Sequence, residues 1–259
     1  MSDWNAAHYD YFADQRQLAV RDLIAALADA RPRSIVDLGC GSGLSTALLA
    51  KRWPEATVQG IDQSSAMLAR AATRVPQARF SEGNIGSFTP EEATDMLFAN
   101  ASLHWLPEHR ALLPKLMATL GPGGVLAVQM PNNLGEASHR LMRELATSPD
   151  YATYFEGFQS ERGELPTPRE YYEYLSPFSE SQRIWETQYQ HLLAGPRDIV
   201  AWFKTTGLKP FLDKLPAGKR DAFESDYLEA ITRAYPRLCD GHVMLRLPRL
   251  FIVAVRKSP

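Results

Sequence analysis

The chain has 259 residues, 45% hydrophobic and 22% charged, with a formal charge of -2. That length supports a sizeable interior, and the near-neutral balance without a basic block excludes the electrostatic footprint of a nucleic-acid or anionic-membrane binder. No apolar run approaches the ~20 residues of a membrane helix, and Met1-Ser2-Asp3-Trp4-Asn5 has no positive region leading into an apolar stretch, so the expected location is the cytoplasm.

Leu18, Leu23, Ile24 and Leu27 recur at helical spacing and predict a helix over Gln17 to Ala30, stopped by Arg31-Pro32. Ser34-Ile35-Val36 reads as a buried strand, and Leu44 to Trp53 as the helix after it. A second strand, Thr57 to Ile61, precedes a helix from Ser64 to Arg74, capped by Ser64 or Ser65. Ala78 to Glu82, Asp95 to Asn100 and Val125 to Met130 complete a series of strands, the last entered through Gly121-Pro122-Gly123-Gly124. Strands alternating with helices predict a mostly parallel sheet covered on both faces, an α/β Rossmann-like fold.

Beyond Pro131 the alternation breaks. A helix near Glu136 to Thr147, a strand over Trp185 to Leu193, helices over Arg197 to Lys204 and Lys219 to Ala234, and a strand over Val243 to Arg256 are expected. The two late strands predict an antiparallel edge, with the helices between them as cap insertions. The expectation is one domain over 1–259: a lid and helix at 1–30, a cofactor core at 31–131, cap insertions at 132–240 and a final strand at 241–259.

The motif that carries chemistry is Val36-Asp37-Leu38-Gly39-Cys40-Gly41-Ser42-Gly43, followed by Gly60-Ile61-Asp62. Strand, glycine loop and helix form a nucleotide-type unit, and Asp62, nineteen residues past Gly43, falls where a carboxylate accepts from ribose hydroxyls. A dinucleotide site wants a third glycine where Leu44 stands, and Asp37 beside the loop would repel a pyrophosphate. Asp37 instead suits the cationic methionine part of S-adenosylmethionine, directly or through water. The loop residues Gly39 and Gly41 would hold that cofactor, with Gln63 beside Asp62 and Met67 flanking the adenine. Ala99 and Asn100, at the carboxyl end of the fourth strand, should meet its methionine part, and His104 and Trp105 follow at the border with a substrate. Cys40 and Cys239 make neither a disulfide framework nor a zinc site, and the six histidines show no ligand spacing, so no metal is expected.

Through VDLGCGSG, GIDQS, EGNI and NASLHWLP the chain resembles the class I S-adenosylmethionine-dependent methyltransferases. Over nearly its whole length it also resembles the bacterial trans-aconitate 2-methyltransferases, through SDWN with Tyr9, Phe12 and Arg16, FANASLHWLPEH, GVLAVQMPNN, HRLMREL, TTGLKP and PRLFIVA. The resemblance implies methyl transfer to a carboxylate of a small tricarboxylate, yielding a monomethyl ester and S-adenosylhomocysteine. It also implies that Asn84 and Ile85 lie against the adenine, with Asn in place of the superfamily's acidic residue. Because that family also carries Gln at the position of His104, hydrogen bonding rather than proton transfer is implied there.

A carboxylate is already ionised and needs no general base, so catalysis rests on alignment and exclusion of water. Trp4, Tyr9 and Phe12 are read as a lid over the cofactor, or as a segment packed permanently on the core. A trianion in a dry pocket requires cations. Leu245, Leu247, Arg249 and Phe251 share one face of the last strand, which sets Arg249 among apolar neighbours and makes it a substrate ligand or one half of a structural ion pair. Arg16 is the second cation. Tyr171, Trp202 and Thr206 in the cap are packing residues or carboxylate donors. His139 and Arg143, one turn apart, read as surface or structural residues. A methyltransferase for another small acid or an acyl carrier thioester, a non-catalytic cofactor sensor and a nicotinamide oxidoreductase remain alternatives; no apolar stripe marks an oligomer interface.

Overall fold

The computed structural model describes residues 13–90, 92–159 and 162–258. The chain divides into two compact units, one of residues 18–131, 162–187 and 249–259, the other of 1–17, 132–161 and 188–248. Of the residues expected as cap insertions over 132–240, those of 162–187 cluster with the sheet.

The first helix, α1 (Ala13–Ala25), starts earlier and ends earlier than its apolar spacing suggested. Then follow β1 (Ser34–Leu38), α2 (Leu44–Arg52), β2 (Thr57–Asp62), α3 (Ser65–Arg74), β3 (Arg79–Glu82) and β4 (Thr94–Asn100). The run continues with α4 (His109–Thr119), β5 (Leu120–Pro131), α5 (Ala137–Ala146), α6 (Pro168–Leu175) and β6 (Ser179–Leu193). It closes with α7 (Pro196–Lys204), α8 (Lys209–Lys214), α9 (Ala217–Ala234) and β7 (Val243–Arg256). Ser64 caps α3 as its sequence predicted, its side chain accepting from the Met67 amide. Helix α6 was not anticipated, although Thr167 and Glu170 form a capping box and Pro168 opens its first turn. A stretch rich in Tyr and Glu masked that start signal.

Among the described residues the strands form one sheet in the order β3-β2-β1-β4-β5-β7-β6. Strands β1 to β5 pair in parallel and β7 runs antiparallel to β5, as expected for the edge. Strand order reverses between β1 and β4, and the crevice beyond the carboxyl ends there is where open α/β sheets bind ligands. One face carries Val36, Leu38, Leu97, Ala99, Val128, Met130, Leu250 and Ile252 into a core with Leu113, Leu116, Tyr171 and Leu175. The other unit has its own core, in which Tyr151, Phe155, Phe203, Phe211, Phe223, Tyr227 and Leu245 pack together.

The helix packing that a third glycine gives dinucleotide folds is met differently here. Gly43, in the left-handed region at φ 80°, ends the loop so close to α3 that a Cβ on it would lie 3.0 Å from Ala71 Cα. Gly43→Ala combines left-handed strain of about 1–2 kcal/mol with a backbone clash. Urea unfolding should show a stability loss of about 2–4 kcal/mol; an unchanged midpoint would mean that the two helices do not approach this closely.

Candidate functional site

The glycine loop leaves β1 and folds back onto the end of β2. Gly39 and Cys40 donate their amides to the Ile61 carbonyl at 2.9 and 3.0 Å. The Gly41 amide donates to Asp62 Oδ2 at 2.9 Å, and the Ser64 amide donates to Asp62 Oδ1 at 2.9 Å. Asp62 thus ties the loop to the start of α3, and each oxygen keeps a second lone pair. A Cβ on Gly41 would meet nothing within 4 Å, so this side of the loop is bare backbone facing open space. A Cβ on Gly39 would lie 2.4 Å from Ser102 Cβ, which explains glycine at that close approach. Ile85 is buried with its Cδ1 near the same point, while Asn84 is exposed and its Oδ1 accepts from the Gly86 amide at 2.8 Å. The departure from an acidic residue at 84 thereby also serves as a local cap. Met67 is half-buried and Gln63 exposed.

Asp37 lies wholly inside, not on the loop surface. Its Oδ2 accepts from Ser45 Oγ and Thr46 Oγ1, both at 2.7 Å, and Oδ1 is enclosed with no hydrogen-bond partner. Burial pushes its carboxyl up to about 6, against the two hydroxyl bonds, with the charge of Asp62 adding to the rise. Cys40, beside it, has a thiol pushed up by burial, so it fills space and is no nucleophile.

The carboxyl end of β4 is backbone under strain. After the buried Ala99 and the half-buried Asn100, Ala101 takes φ 52°, a left-handed conformation unusual for a residue with a side chain. Its amide donates to the Gln129 carbonyl at 2.8 Å, and Ser102 Oγ donates to the Leu38 carbonyl at 2.6 Å. These bonds aim the turn Leu103–Trp105, in which His104 is 6% exposed and Trp105 41% exposed, their rings 4.7 Å apart. His109 Nε2 lies 2.9 Å from the Leu103 carbonyl and must donate to it, which leaves Nδ1 to accept from the Tyr171 hydroxyl at 2.5 Å. Tyr171, read from sequence as a packing residue or a carboxylate donor, is a fully buried core residue bracing this turn through His109.

Arg249 is half-buried and faces Pro131 across the β5–β7 register; Leu245, Leu247 and Phe251 are buried, the two leucines in the core of the other unit. Arg162, which sequence reading missed, donates through Nη2 to the Pro131 carbonyl. Burial, and then the neighbouring Arg249 charge, bring its guanidinium down to about 10. His104 is held well below the usual histidine range, first by burial and then by the charges of Arg162 and Arg249. Arg162 and Arg249, at the end of β5 and in the middle of β7, thus lie near enough to His104 for their charges to act on it. The only sequence signal for Arg162 was that a polyanion needs more than one cation.

Several expectations fall elsewhere. Trp202 is buried in the core of the other unit, its ring 5.3 Å from that of His191, and Thr206 Oγ1 donates to the Trp202 carbonyl at 3.3 Å, so both serve packing and a helix end. His139 is buried against Phe203, 4.8 Å between rings, and is structural. Trp4, Tyr9 and Phe12 lie outside the described residues, as does the side chain of Arg16. Among the described residues no group of three His, Cys, Asp or Glu could hold a metal, and no helix is long and apolar enough to cross a membrane.

The family model described as a methyltransferase domain matches residues 35–124. The chain is 48% identical over 256 residues to a protein of Methylobacterium nodulans named trans-aconitate 2-methyltransferase, covering 99% of each. It is 44% identical to a protein of the same name from Rhodopseudomonas palustris, covering 99% of this chain and 100% of that one. Among solved structures, YcgJ of Bacillus subtilis superposes with a TM-score of 0.59 at 12% identity, over 92% of this chain and 100% of that one, a likeness of fold.

Because the Asp37 carboxyl is raised from 3.8 to about 6 in the fold, the unfolded chain loses this proton first as pH rises. Stability should therefore fall between about pH 4 and pH 6, by a total on the order of 2–3 kcal/mol from this group. Asp37→Asn removes the term. Urea midpoints of both proteins from pH 4 to 7 should show the variant gaining on the natural chain across that window, and a pH-independent difference would mean an ordinary carboxylate.

Proposed function

This chain belongs to the trans-aconitate 2-methyltransferase family, and from that membership we propose that it methylates one carboxylate of trans-aconitate, using S-adenosylmethionine and releasing the monomethyl ester. When bound, the cofactor supplies an electrophilic methyl group on a sulfonium and departs as S-adenosylhomocysteine. The residues fit it: bare backbone at Gly41, the outward lone pairs of Asp62, apolar Ile85 and Met67, and unpartnered enclosed oxygens on Asp37 and Asn100 that suit a cationic group. Gly39, Gly41 and Asp62 hold the nucleoside, Gln63 and Asn84 border it, and Ala99 and Asn100 meet the methionine part.

The observation that carries the substrate class is the convergence of Arg162 and Arg249 on a neutral His104. Two neighbouring guanidinium groups favour an anion between them. An acyl chain would want an apolar channel there. A carboxylate oxygen attacks without deprotonation, so His104 has no proton to take; as a neutral ring it orients the acid by hydrogen bonding, and Trp105 borders the same turn. Exclusion of water from the attacking oxygen sharpens the attack. The reading also has the enzyme act in the cytoplasm on a small molecule, without nucleic acid or membrane, in keeping with its charge of -2.

Incubation with methyl-labelled S-adenosylmethionine and a panel of trans-aconitate, cis-aconitate, citrate, isocitrate and a monocarboxylate should label trans-aconitate; label on no acid would overturn the reading. Arg162→Met and Arg249→Met should each raise KM for the tricarboxylate at least tenfold and for a methylatable monocarboxylate far less, since removing one charged hydrogen bond costs about 1.5–3 kcal/mol. Equal effects on both acids would make the arginines structural. Asp62→Ala should weaken S-adenosylhomocysteine binding in calorimetry by about 1–3 kcal/mol, and an unchanged affinity would remove Asp62 from the ribose.

A further inference from the structure

Gln129 stands in the middle of the sheet and has no role in the reading above. It is 1% exposed, and its amide Nε2 is enclosed with no hydrogen-bond partner. In the register, Gln129 lies between Asn100 on β4 and Phe251 on β7. Neighbours in register share a face, so the three form one row, and the next row on that face holds Pro131 and Arg249. Asn100 Oδ1 is also enclosed and unpartnered, as is Nδ1 of His104 in the turn that follows Asn100. Phe251 is covered by Trp185, stacked at 4.8 Å, which walls the row on its outer side.

An unpaired amide buried in a strand is expensive, and a leucine or methionine would fill the space without that cost. The other face of the same strand has Val128 and Met130, fully buried and apolar. A donor set in a row with an acceptor, one row from an arginine and near a neutral imidazole, matches the edge of a bound acid. Neutral donors fix where a carboxylate oxygen lies, while the two arginines balance its charge.

We infer that Gln129 is a specificity residue of the acceptor site, its Nε2 donating to a substrate carboxylate oxygen alongside the ring N–H of His104. The inference rests on the proposed methyl transfer to a carboxylic acid. The methionine part of the cofactor also ends in a carboxylate, so binding of the two ligands is measured separately.

Gln129→Met keeps length and volume and deletes the donor; Gln129→Leu tests the same loss with a different shape. Both should unfold at the same or higher urea concentration than the natural chain. Calorimetry with trans-aconitate, in the presence of S-adenosylhomocysteine, should show affinity falling ten- to a hundredfold, with KM rising in step. S-adenosylhomocysteine affinity should stay within twofold. Unchanged trans-aconitate binding in a folded variant overturns the assignment, and so does a loss confined to S-adenosylhomocysteine, which would give the amide to the cofactor. If the natural chain binds trans-aconitate but methylates no acid, the proposed function fails, and the same titration still decides Gln129. Absence of trans-aconitate binding to the natural chain overturns both.

Discussion

A carboxylate held in the dry interior beneath the glycine loop sets the terms for the rest of the site. Asp37 accepts two hydroxyl hydrogen bonds from the first turn of α2 and keeps its second oxygen unpaired, so strand, loop and helix are locked around a group that burial pushes toward protonation. The loop above it has no side chain at Gly39, Gly41 or Gly43 to relieve the geometry, and all three sit at positive φ. Asp62 then secures the far side through the Gly41 and Ser64 amides. Two acids thus shape one turn of backbone, the first from below and the second from the rim.

Around this turn the protein accumulates what a stable fold avoids. The left-handed Ala101 and the enclosed polar atoms of Asp37, Asn100, His104 and Gln129 all belong to the carboxyl ends of β1, β4 and β5 or the turn after β4. Elsewhere among the described residues, enclosed side-chain atoms without a hydrogen bond are Ser148 Oγ, Arg162 Nε and Gln182 Oε1. Unpaired groups concentrated at a ligand crevice are the expected signature of a site whose partners arrive with the ligand, at the expense of intrinsic stability. Burial first, and then the charges of Arg162 and Arg249, hold His104 well below the usual histidine range.

Much of the fold was legible because local rules and tertiary packing agree. Apolar runs bounded by glycine marked the parallel strands, and Ser64 announced its helix. Helix α6 was missed because its face of Tyr and Leu reads as irregular without the core that buries Tyr171 and Leu175. Trp202 and Thr206 were candidates because aromatic and hydroxyl groups serve packing and recognition alike, and only burial tells these apart.

By itself the sequence determined the surroundings of the glycine loop proposed to hold the nucleoside, since the loop, its preceding Asp37 and the following Asp62 are neighbours along a βαβ unit of fixed length. Local connectivity there is nearly the same thing as spatial proximity. The cluster proposed to hold the acceptor was decided by tertiary structure. Arg162 lies in an irregular segment, Gln129 in a strand that reads as ordinary core, and His104 in a short turn; only the pairing of β5 with β4 and β7 and the bond from Arg162 to Pro131 bring them together. Whether a histidine is neutral or an amide unpaired depends on burial and on charges distant in sequence, and no spacing along the chain encodes that.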